Sequence, residues 1–238
     1  MPPLDPVGVV RAAQGSPAQG SPAPGSPAPT AVDRVADAVR ADILSGDLAE
    51  DAPLREEAAA ERFGVSRHTV RAAFQRLVAE RLAVALPYRG VRVASFDRPT
   101  VIALQQLRAA LEVEAVRIAG ERFGSEWPDT ALAPVRESLD RLDDLRMAAD
   151  AEVDWIEVER IHAEFHRALV AASASPRIIE AHTALGSELL LFLLHVRPHY
   201  TLDALVREHR TLLDAVQSHG PDALREHLAH STRLLVGA

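Results

Sequence analysis

The feature that most constrains this fold is a short apolar helix, a glycine and a second, amphipathic helix in direct succession. Residues 58–63 carry three alanines and a phenylalanine that can form one side of a short helix, and Gly64 then ends it. Ser66 stands where a helix N-cap belongs, and apolar residues such as Val70 and Phe74 recur behind it at helical spacing. A helix, a tight turn with glycine and a second helix predict a helix-turn-helix.

The same region is basic within an acidic chain. Between Arg62 and Arg92 there are seven arginines and one acidic residue, Glu80, whereas the 238 residues together have a formal net charge of −8. A local basic island predicts contact with a polyanion. If the second helix enters a DNA major groove, its N-terminal end meets base edges and phosphates. The residues presented at that end would be Ser66, Arg67, His68, Thr69 and Arg71.

The flanking segments complete a winged helix-turn-helix. An amphipathic helix precedes the motif and ends at Gly46, a favourable residue after a helix C-terminus. After the motif, residues 82–86 and 91–94 are typical of two short strands joined by a turn. Three helices and a hairpin predict a DNA-binding domain over residues 31–95. Arg89, at the tip of the wing, would reach a neighbouring groove or phosphate.

This segment resembles the N-terminal domain of the GntR family of bacterial transcription regulators. The matching residues are Leu54, Glu56, Phe63-Gly64-Val65-Ser66-Arg67, Val70-Arg71, Phe74 and Leu77, followed by Gly90, Val91 and Val93. The resemblance implies DNA contacts at Arg67, Thr69 and Arg71. It also places Gly90 in the wing.

The chain departs from that family pattern in the first helix of the motif. Glu57 falls where members often carry a DNA-contacting arginine, and Arg55 is the candidate that could substitute for it. Arg81 replaces a usual glycine after the second helix. These departures leave the predicted fold intact and leave the operator sequence open.

Composition and the N-terminal segment set further bounds. An apolar content of 47% is enough for a sizeable core, and the absence of cysteine excludes disulfides and thiolate metal sites. No apolar run reaches membrane-spanning length and the N-terminus lacks the apolar core of a signal peptide, so a soluble cytoplasmic protein is expected. Residues 1–30, in which Gly-Ser-Pro-Ala recurs at 15–18, 20–23 and 25–28, are expected to form a disordered tail, because such a segment buries too little apolar surface to fold.

The rest of the chain, residues 100–238, follows a helical pattern behind a linker predicted at 96–99. Glycine and proline joints divide it into segments of about twenty residues, which predicts an antiparallel six-helix bundle. The segments are 100–122, 129–149, 152–173, 176–197, 201–219 and 221–236. The predicted DNA-binding domain, residues 31–95, is called the head below. A helical bundle behind a GntR-type head resembles the FadR-type subfamily, with matches at Leu107-Arg108, Leu111-Glu112, Phe165-His166 and Glu208-His209. That resemblance implies a domain that binds effectors and forms a homodimer.

Nine of the ten histidines lie in this helical domain. His162 and His166 are four residues apart on one helix face, so they can chelate a metal if other helices supply further ligands. The subfamily's metal sites imply His166 and His209 as ligands, with His162 where members have aspartate. The last helix offers His230 or His227, and the sequence leaves that choice open. Imidazole ligands favour a divalent transition metal, zinc or nickel, over magnesium or calcium.

Arg108 is the candidate effector-binding residue. The resemblance implies that this position holds the carboxylate of an effector, and the fork-shaped guanidinium suits that group. The alternative is a surface ion pair with Glu112, four residues further along the same helix.

Three functions fit these features. The first is a ligand-responsive transcription regulator that binds a near-palindromic operator as a homodimer. The second is a metal-dependent enzyme with an appended DNA-binding head, and the third is an architectural DNA-binding protein without an effector. Glu159 and Glu164 lie near the histidines, but His-x-Glu-x-His is not a recognised protease arrangement. We therefore predict the regulator, with operator DNA, a small carboxylate and a second copy of the chain as partners and with no membrane.

Overall fold

The computed structural model describes residues 28–95, 97–124, 126–148, 153–196 and 201–236. Its N-terminal elements are α1 (Ala31–Ser45), β1 (Pro53–Leu54), α2 (Glu56–Phe63), α3 (Arg67–Ala79), β2 (Ala83–Leu86) and β3 (Gly90–Val93). The helices that follow within the described ranges are α4 (Arg98–Phe123), α5 (Asp129–Met147), α6 (Trp155–Ala171), α7 (Pro176–Thr183), α8 (Gly186–Val196), α9 (Leu202–His219) and α10 (Pro221–Val236). The predicted fold class, a mainly α chain with a winged helix-turn-helix before a helical bundle, is confirmed.

The predicted helix-turn-helix is formed by α2 and α3. Gly64 ends α2 with a φ of 63°, in the left-handed region where an L side chain would be strained. Ser66 caps α3, because its hydroxyl accepts a hydrogen bond from the backbone N of Thr69 at 3.1 Å. Behind this turn, Phe74 of α3 and Val39 of α1 are buried in one apolar core.

The wing is a three-stranded sheet rather than a hairpin alone. β2 and β3 pair antiparallel, with Ala83 opposite Val93 and Leu86 opposite Gly90. β1 pairs with the other side of β3, so the strand order is β1-β3-β2. The sequence predicted the hairpin and missed β1, because a two-residue strand is too short to show an alternating pattern. This third strand ties the wing to the connection between α1 and α2.

The helical domain is built on α4 and α6. α4 lies against α6 and α10, while α5 packs on α6 and α9. The apolar core between them includes Val116, Leu139, Phe165, Leu169 and Leu213. Burial of one such side chain stabilises the fold by about 1.5–3 kcal/mol. The same domain also buries a group of polar side chains, namely Arg108, Glu112, His162, His166, His182 and His209.

One predicted helix is two helices in the structure. The segment expected at 176–197 breaks at Ala184 and Leu185, so α7 ends at Thr183 and α8 begins at Gly186. Glycine weakens a continuous helix at this point. The two pieces also have different partners: α7 packs on α4 and α6, whereas α8 packs on α6, α10 and α1. The break therefore lets one segment serve both the bundle and the DNA-binding head.

The first turn of α4 overlaps the predicted domain joint. Asp97 caps α4 by accepting a hydrogen bond from the backbone N of Thr100 at 3.0 Å, and the helix begins at Arg98. The predicted linker at 96–99 therefore overlaps the first turn of α4. Most of the predicted tail, residues 1–27, lies outside the described residues.

The head and the bundle share an apolar interface. Leu185 and Leu189, at the joint before α8 and on its first turn, belong to the same buried cluster as the core of the head. Ser187 Oγ donates a hydrogen bond to Glu80 Oε2 at 3.4 Å, and Arg81 Nε lies 3.8 Å from Glu188 Oε2. Glu80 is the C-cap of α3, so these contacts connect α8 to the C-terminal end of that helix.

Candidate functional site

The N-terminal end of α3 forms an exposed polar surface. Arg67, His68 and Arg71 are exposed, and Thr69 is half-buried. Ser66 Oγ and Thr69 Oγ1 lie 2.9 Å apart, so the cap also orders the threonine side chain. The structure therefore brings the residues predicted from α3 together on one face of the head, where a major groove would meet them.

The other predicted DNA contacts lie on α2 and the wing. Arg55 is the exposed N-cap residue of α2. Arg89 and Gly90 are exposed at the hairpin turn, and Gly90 has a φ of 75°, which favours glycine. Tyr88 is fully exposed beside them with a φ of 63°. Sequence reasoning passed over this aromatic tip, although its place in a Pro-Tyr-Arg-Gly turn could have indicated it.

The basic island is largely paired within the fold. Six of its seven arginines have an acidic or carbonyl partner: Arg62 with Asp42, Arg67 with Glu57, Arg71 with Glu56, Arg76 with Asp33, Arg81 with Glu188 and Arg92 with the Asp51 carbonyl. Arg89 forms no ion pair with any described residue. The charge excess seen in the sequence is therefore smaller at the surface than residue counting implied.

Three histidine rings of the helical domain converge in its interior. His162 and His166 come from α6 and His209 from α9, and each is buried. The Nε2 atoms of His162 and His209 are 2.7 Å apart, and those of His166 and His209 are 3.3 Å apart. The i, i+4 spacing on α6 aims two rings at one point, and α9 delivers the third.

Hydrogen bonds on the opposite ring nitrogens fix which atoms face the centre. His209 Nδ1 donates to the Leu205 carbonyl at 2.8 Å. His166 Nδ1 lies 2.8 Å from Glu112 Oε2, and His162 Nδ1 lies 3.4 Å from Glu159 Oε2. A carbonyl and an ionised carboxylate accept only, so the Nδ1 atoms of His166 and His209 carry the protons.

The Nε2 atoms of His166 and His209 therefore present bare lone pairs to each other, provided that both rings are neutral. Burial lowers the pKa of His162 and His209 well below the usual value, and nearby positive charge adds to this effect. The pKa of His166 falls to about 4, because burial and the Arg108 guanidinium outweigh the Glu112 carboxylate. Neutral rings with converging lone pairs repel each other unless a cation lies between them.

These residues fit a divalent transition metal. Zinc–nitrogen bonds of about 2.0–2.1 Å place two tetrahedral ligands about 3.3–3.4 Å apart. The 3.3 Å separation of the His166 and His209 Nε2 atoms matches that spacing, whereas His162 Nε2 lies 2.7 Å from His209 Nε2, a direct hydrogen-bond distance that would have to lengthen around an ion. A carboxylate or carbonyl behind each ligating ring is the outer arrangement found around histidine-bound metals.

The last helix brings His227, rather than His230, to this cluster. The His227 ring centroid lies 4.8 Å from that of His209 and 5.6 Å from that of His166. His230 is exposed and lines an open groove of about 900 Å³ between α9 and α10, which His227 also borders. Of the two residues left open by the sequence, His227 is the one in contact with the other rings.

Arg108 and Glu112 form a buried pair beside the histidines. Arg108 Nε donates to Glu112 Oε1 at 2.6 Å, and both side chains are at most 3% exposed. Glu112 also contacts His166 Nδ1 and, at 3.0 Å, His182 Nε2. Burial alone would raise the pKa of Glu112, but Arg108 and the two rings hold that pKa well below its usual range. The ion pair expected as the alternative for Arg108 therefore exists, but it is buried at the cluster rather than on the surface.

Sequence reasoning underrated two members of this site. The sequence indicated no role for His182 of α7, because its buried contact with Glu112 emerges only once α7 packs on α4. Gln105, one turn before Arg108, is buried and donates through Nε2 to Thr232 Oγ1 at 3.2 Å. Its Oε1 is buried without a hydrogen-bond partner among the described residues. The sequence carries no signal for this burial, because it depends on the packing of α4 against α10.

The two parts of the chain together define a class of protein, a winged helix-turn-helix head joined to a helical domain with a buried polar site. Residues 31–93 match the family of bacterial regulatory proteins called gntR, and residues 103–233 match the FCD domain. The chain belongs to the GntR family, as a member with an FCD domain. It is accordingly a transcriptional regulator and not an enzyme, so the metal-dependent enzyme is set aside.

Individual relatives agree with this assignment. The chain is 27% identical, over 83% of each sequence, to a probable D-xylose utilization operon transcriptional repressor of Paenarthrobacter nicotinovorans. It is 24% identical to the galactonate operon transcriptional repressor of Escherichia coli (strain K12), over 85% of this chain and 96% of that one. A crystal structure of a GntR-type protein from Rhodococcus sp. RHA1 is similar with a TM-score of 0.67 and 28% identity, covering 87% of this chain and 98% of that one. Within the described ranges, no helix is both long and apolar enough to cross a bilayer.

We expect Glu112→Gln to lower the free energy of unfolding by about 3–5 kcal/mol, because it leaves the buried Arg108 charge without its anion. Chemical denaturation measures this loss. Glu180→Gln is the matched control, since it removes one partner of an exposed pair with Arg177 and should cost about 0–1 kcal/mol. Equal stability of the two variants would contradict the central role of the buried carboxylate.

Proposed function

We propose that this protein is a ligand-responsive transcriptional repressor that binds operator DNA as a homodimer. A small organic acid, held at a divalent metal in the helical domain, controls its affinity for DNA. The observation that carries the metal is the convergence of the Nε2 lone pairs of His166 on α6 and His209 on α9, 3.3 Å apart, with both Nδ1 protons held elsewhere. The relatives named as repressors support repression as the direction of control.

The head supplies DNA recognition through α3 and the wing. The N-terminal end of α3 is exposed and would enter a major groove, and Arg89, exposed at the wing tip, would reach a neighbouring phosphate or groove edge. One head reads only a half-site. Two heads related by a two-fold axis read a near-palindromic operator, which is the reason for proposing a homodimer.

In this proposal His162, His166 and His209 hold the metal, and His227 completes the set. Zinc and nickel are favoured by imidazole ligands. When bound, the ion supplies a Lewis-acidic position for an oxygen of the effector. Arg108 would form the second anchor through the guanidinium nitrogens that do not contact Glu112. Gln105 Oε1 is a buried acceptor that a hydroxyl or amide donor of the same ligand would satisfy.

A contiguous set of contacts connects this site to the head. Glu112 contacts His182 on α7, and the chain continues directly into α8. α8 in turn contacts Glu80 and Arg81 at the C-terminal end of α3. A ligand that binds one arrangement of α7 and α8 more tightly than another would shift the equilibrium between the two arrangements by that difference in affinity. The position of the head relative to the bundle would change with it.

We expect Arg67→Ala combined with Arg71→Ala to abolish high-affinity operator binding, at about 1–3 kcal/mol for each arginine that reads a base. Gel shifts with a duplex selected from a random library by the wild-type protein measure this. Arg136→Ala with Arg177→Ala is the control, because it removes the same charge from exposed ion pairs of the helical domain. Unchanged affinity in the folded α3 variant would rule out α3 as the helix that contacts the bases.

Light scattering should show complexes of two chains per duplex.

We expect the purified protein to contain, or to bind on titration, one zinc or nickel ion per chain. His166→Ala with His209→Ala should lose it, because the two bare Nε2 atoms disappear. His219→Ala is the control, since that exposed histidine also lies on α9. Comparison of His227→Ala with His230→Ala identifies the fourth ligand. Metal-free wild-type protein after both titrations would show that the histidines are structural and that Arg108 holds the effector without a metal.

Metal retention should extend to a lower pH than free histidine would allow. A protonated ring cannot bind metal, and the pKa of His166 is about 4 in the fold against 6.5 for the free side chain. The His166 ring therefore stays neutral between these values, and burial lowers the pKa of His162 and His209 as well, so affinity should hold well below pH 6.5. Zinc content after dialysis between pH 7 and 4, with circular dichroism as a check of folding, tests this. Loss of zinc at pH 6 from folded protein would contradict it.

A further inference from the structure

Two acidic side chains occupy the DNA-reading end of the head. Arg67 of α3 donates through Nη2 to Glu57 of α2. Arg71 forms a two-point pair with Glu56, from Nε and Nη2 at 2.8 and 2.7 Å. Both arginines expected to contact DNA are thus paired with a carboxylate from the first turn of α2.

The pair of Arg67 with Glu57 is more exposed than a pair that braces the rest of the head. Arg76 pairs with Asp33 of α1, whose side chain is 29% exposed, and so ties α3 to α1. In the pair of Arg67 with Glu57 the side chains are 62% and 78% exposed. An ion pair that open to water adds only about 0–1 kcal/mol to stability. Glu57 therefore contributes little to the fold, while it places a negative charge on the surface that meets a polyanion.

Glu57 retains capacity to accept a further hydrogen bond. Its Oε1 accepts a hydrogen bond from Arg67, and its Oε2 accepts none from the described residues. Glu56, by contrast, uses both oxygens for Arg71 and is 32% exposed. A carboxylate accepts only, and in a major groove it meets donors solely at base amino groups, with cytosine N4 the usual partner.

We infer that Glu57 is a specificity-determining residue of the operator-reading surface. Its carboxylate accepts a hydrogen bond from the amino group of a cytosine in or beside the base pair that Arg67 reads. On other sequences it faces phosphates and acceptor edges without a donor. This inference rests on the proposed binding of operator DNA by α3.

Glu57 would discriminate between DNA sequences in two ways, by attraction to a matched base pair and by an energetic penalty at an unmatched one. Against a matched site the charge of Glu57 is satisfied, and Arg67 is held in a fixed direction beside it. Against an unmatched site the carboxylate loses water and gains no donor, which penalises binding. The loss of one good base contact corresponds to roughly tenfold to a hundredfold in affinity.

The test is selection of binding sites from a random duplex library with the full-length wild type, Glu57→Gln and Glu61→Gln. Glu61 is the matched control, because it is an exposed glutamate one turn further along α2 and its removal changes the charge equally. Wild type and Glu61→Gln should enrich cytosine at one position of each half-site. Glu57→Gln should lose that cytosine in favour of adenine, which a carboxamide reads, and keep the other positions. It should also bind unselected duplex several-fold more tightly, because a charge facing the phosphates is gone.

Identical selected sites for wild type and Glu57→Gln would overturn the inference. So would an equal change of sequence preference in Glu61→Gln, because the effect would then be one of net charge. A wild-type protein that enriches no sequence would instead overturn operator binding by α3, and with it this role of Glu57.

Discussion

The buried carboxylate of Glu112 is the interaction on which the helical domain depends. It lies on α4, accepts a hydrogen bond from Arg108 on the same helix, and contacts His166 of α6 and His182 of α7. A carboxylate in an apolar interior is tolerated only when charge and hydrogen bonds satisfy it, and three partners do so here. By fixing the proton of His166 on Nδ1, Glu112 also turns the Nε2 lone pair toward His209. One residue thus holds three helices and sets the chemistry of the histidine cluster.

The same carboxylate links the cluster to the head. Its partner His182 lies at the end of α7, and the joint at Ala184 and Leu185 redirects the chain into α8. Leu189 of α8 is buried with the apolar core of the head. A long unbroken helix would have served only one of these contacts. The break gives the physical connection that coupling between two sites requires, although coupling itself is a difference in ligand affinity between two states.

The charge that the exposed end of α3 presents to solvent depends on ion pairs within the head more than on the net charge of the segment. Most arginines of the basic island have partners. On the side of α3 that faces α1, the pair of Arg76 with Asp33 braces the fold. At the opposite end, Arg67 and Arg71 share their exposed surface with Glu57 and Glu56. Charge that is neutralised locally contributes less to sequence-independent binding, since that term depends on cations facing phosphates. In the proposed complex with operator DNA, direct contacts to bases would then carry a larger part of the recognition.

The sequence by itself determined the head and the order of the helices, because these depend on local signals. Gly64 must adopt a left-handed conformation and Ser66 caps α3, so the helix-turn-helix is visible within a few residues. The spacing of His162 and His166 likewise fixed a shared face of α6. That His209 meets this pair was implied by the family resemblance and not by residue spacing, because helix crossing sets which faces oppose each other.

The same reason explains what the sequence left open or missed. His227 and His230 lie on one helix, and the packing of α10 on α4 and α9 decides which ring turns inward. The break before Gly186 depends on two different partners for one segment, and the pairing of Arg67 with Glu57 joins residues of two helices across a turn. Periodicity encodes how a residue lies on its own helix, whereas the partner across an interface is set by how separate helices pack.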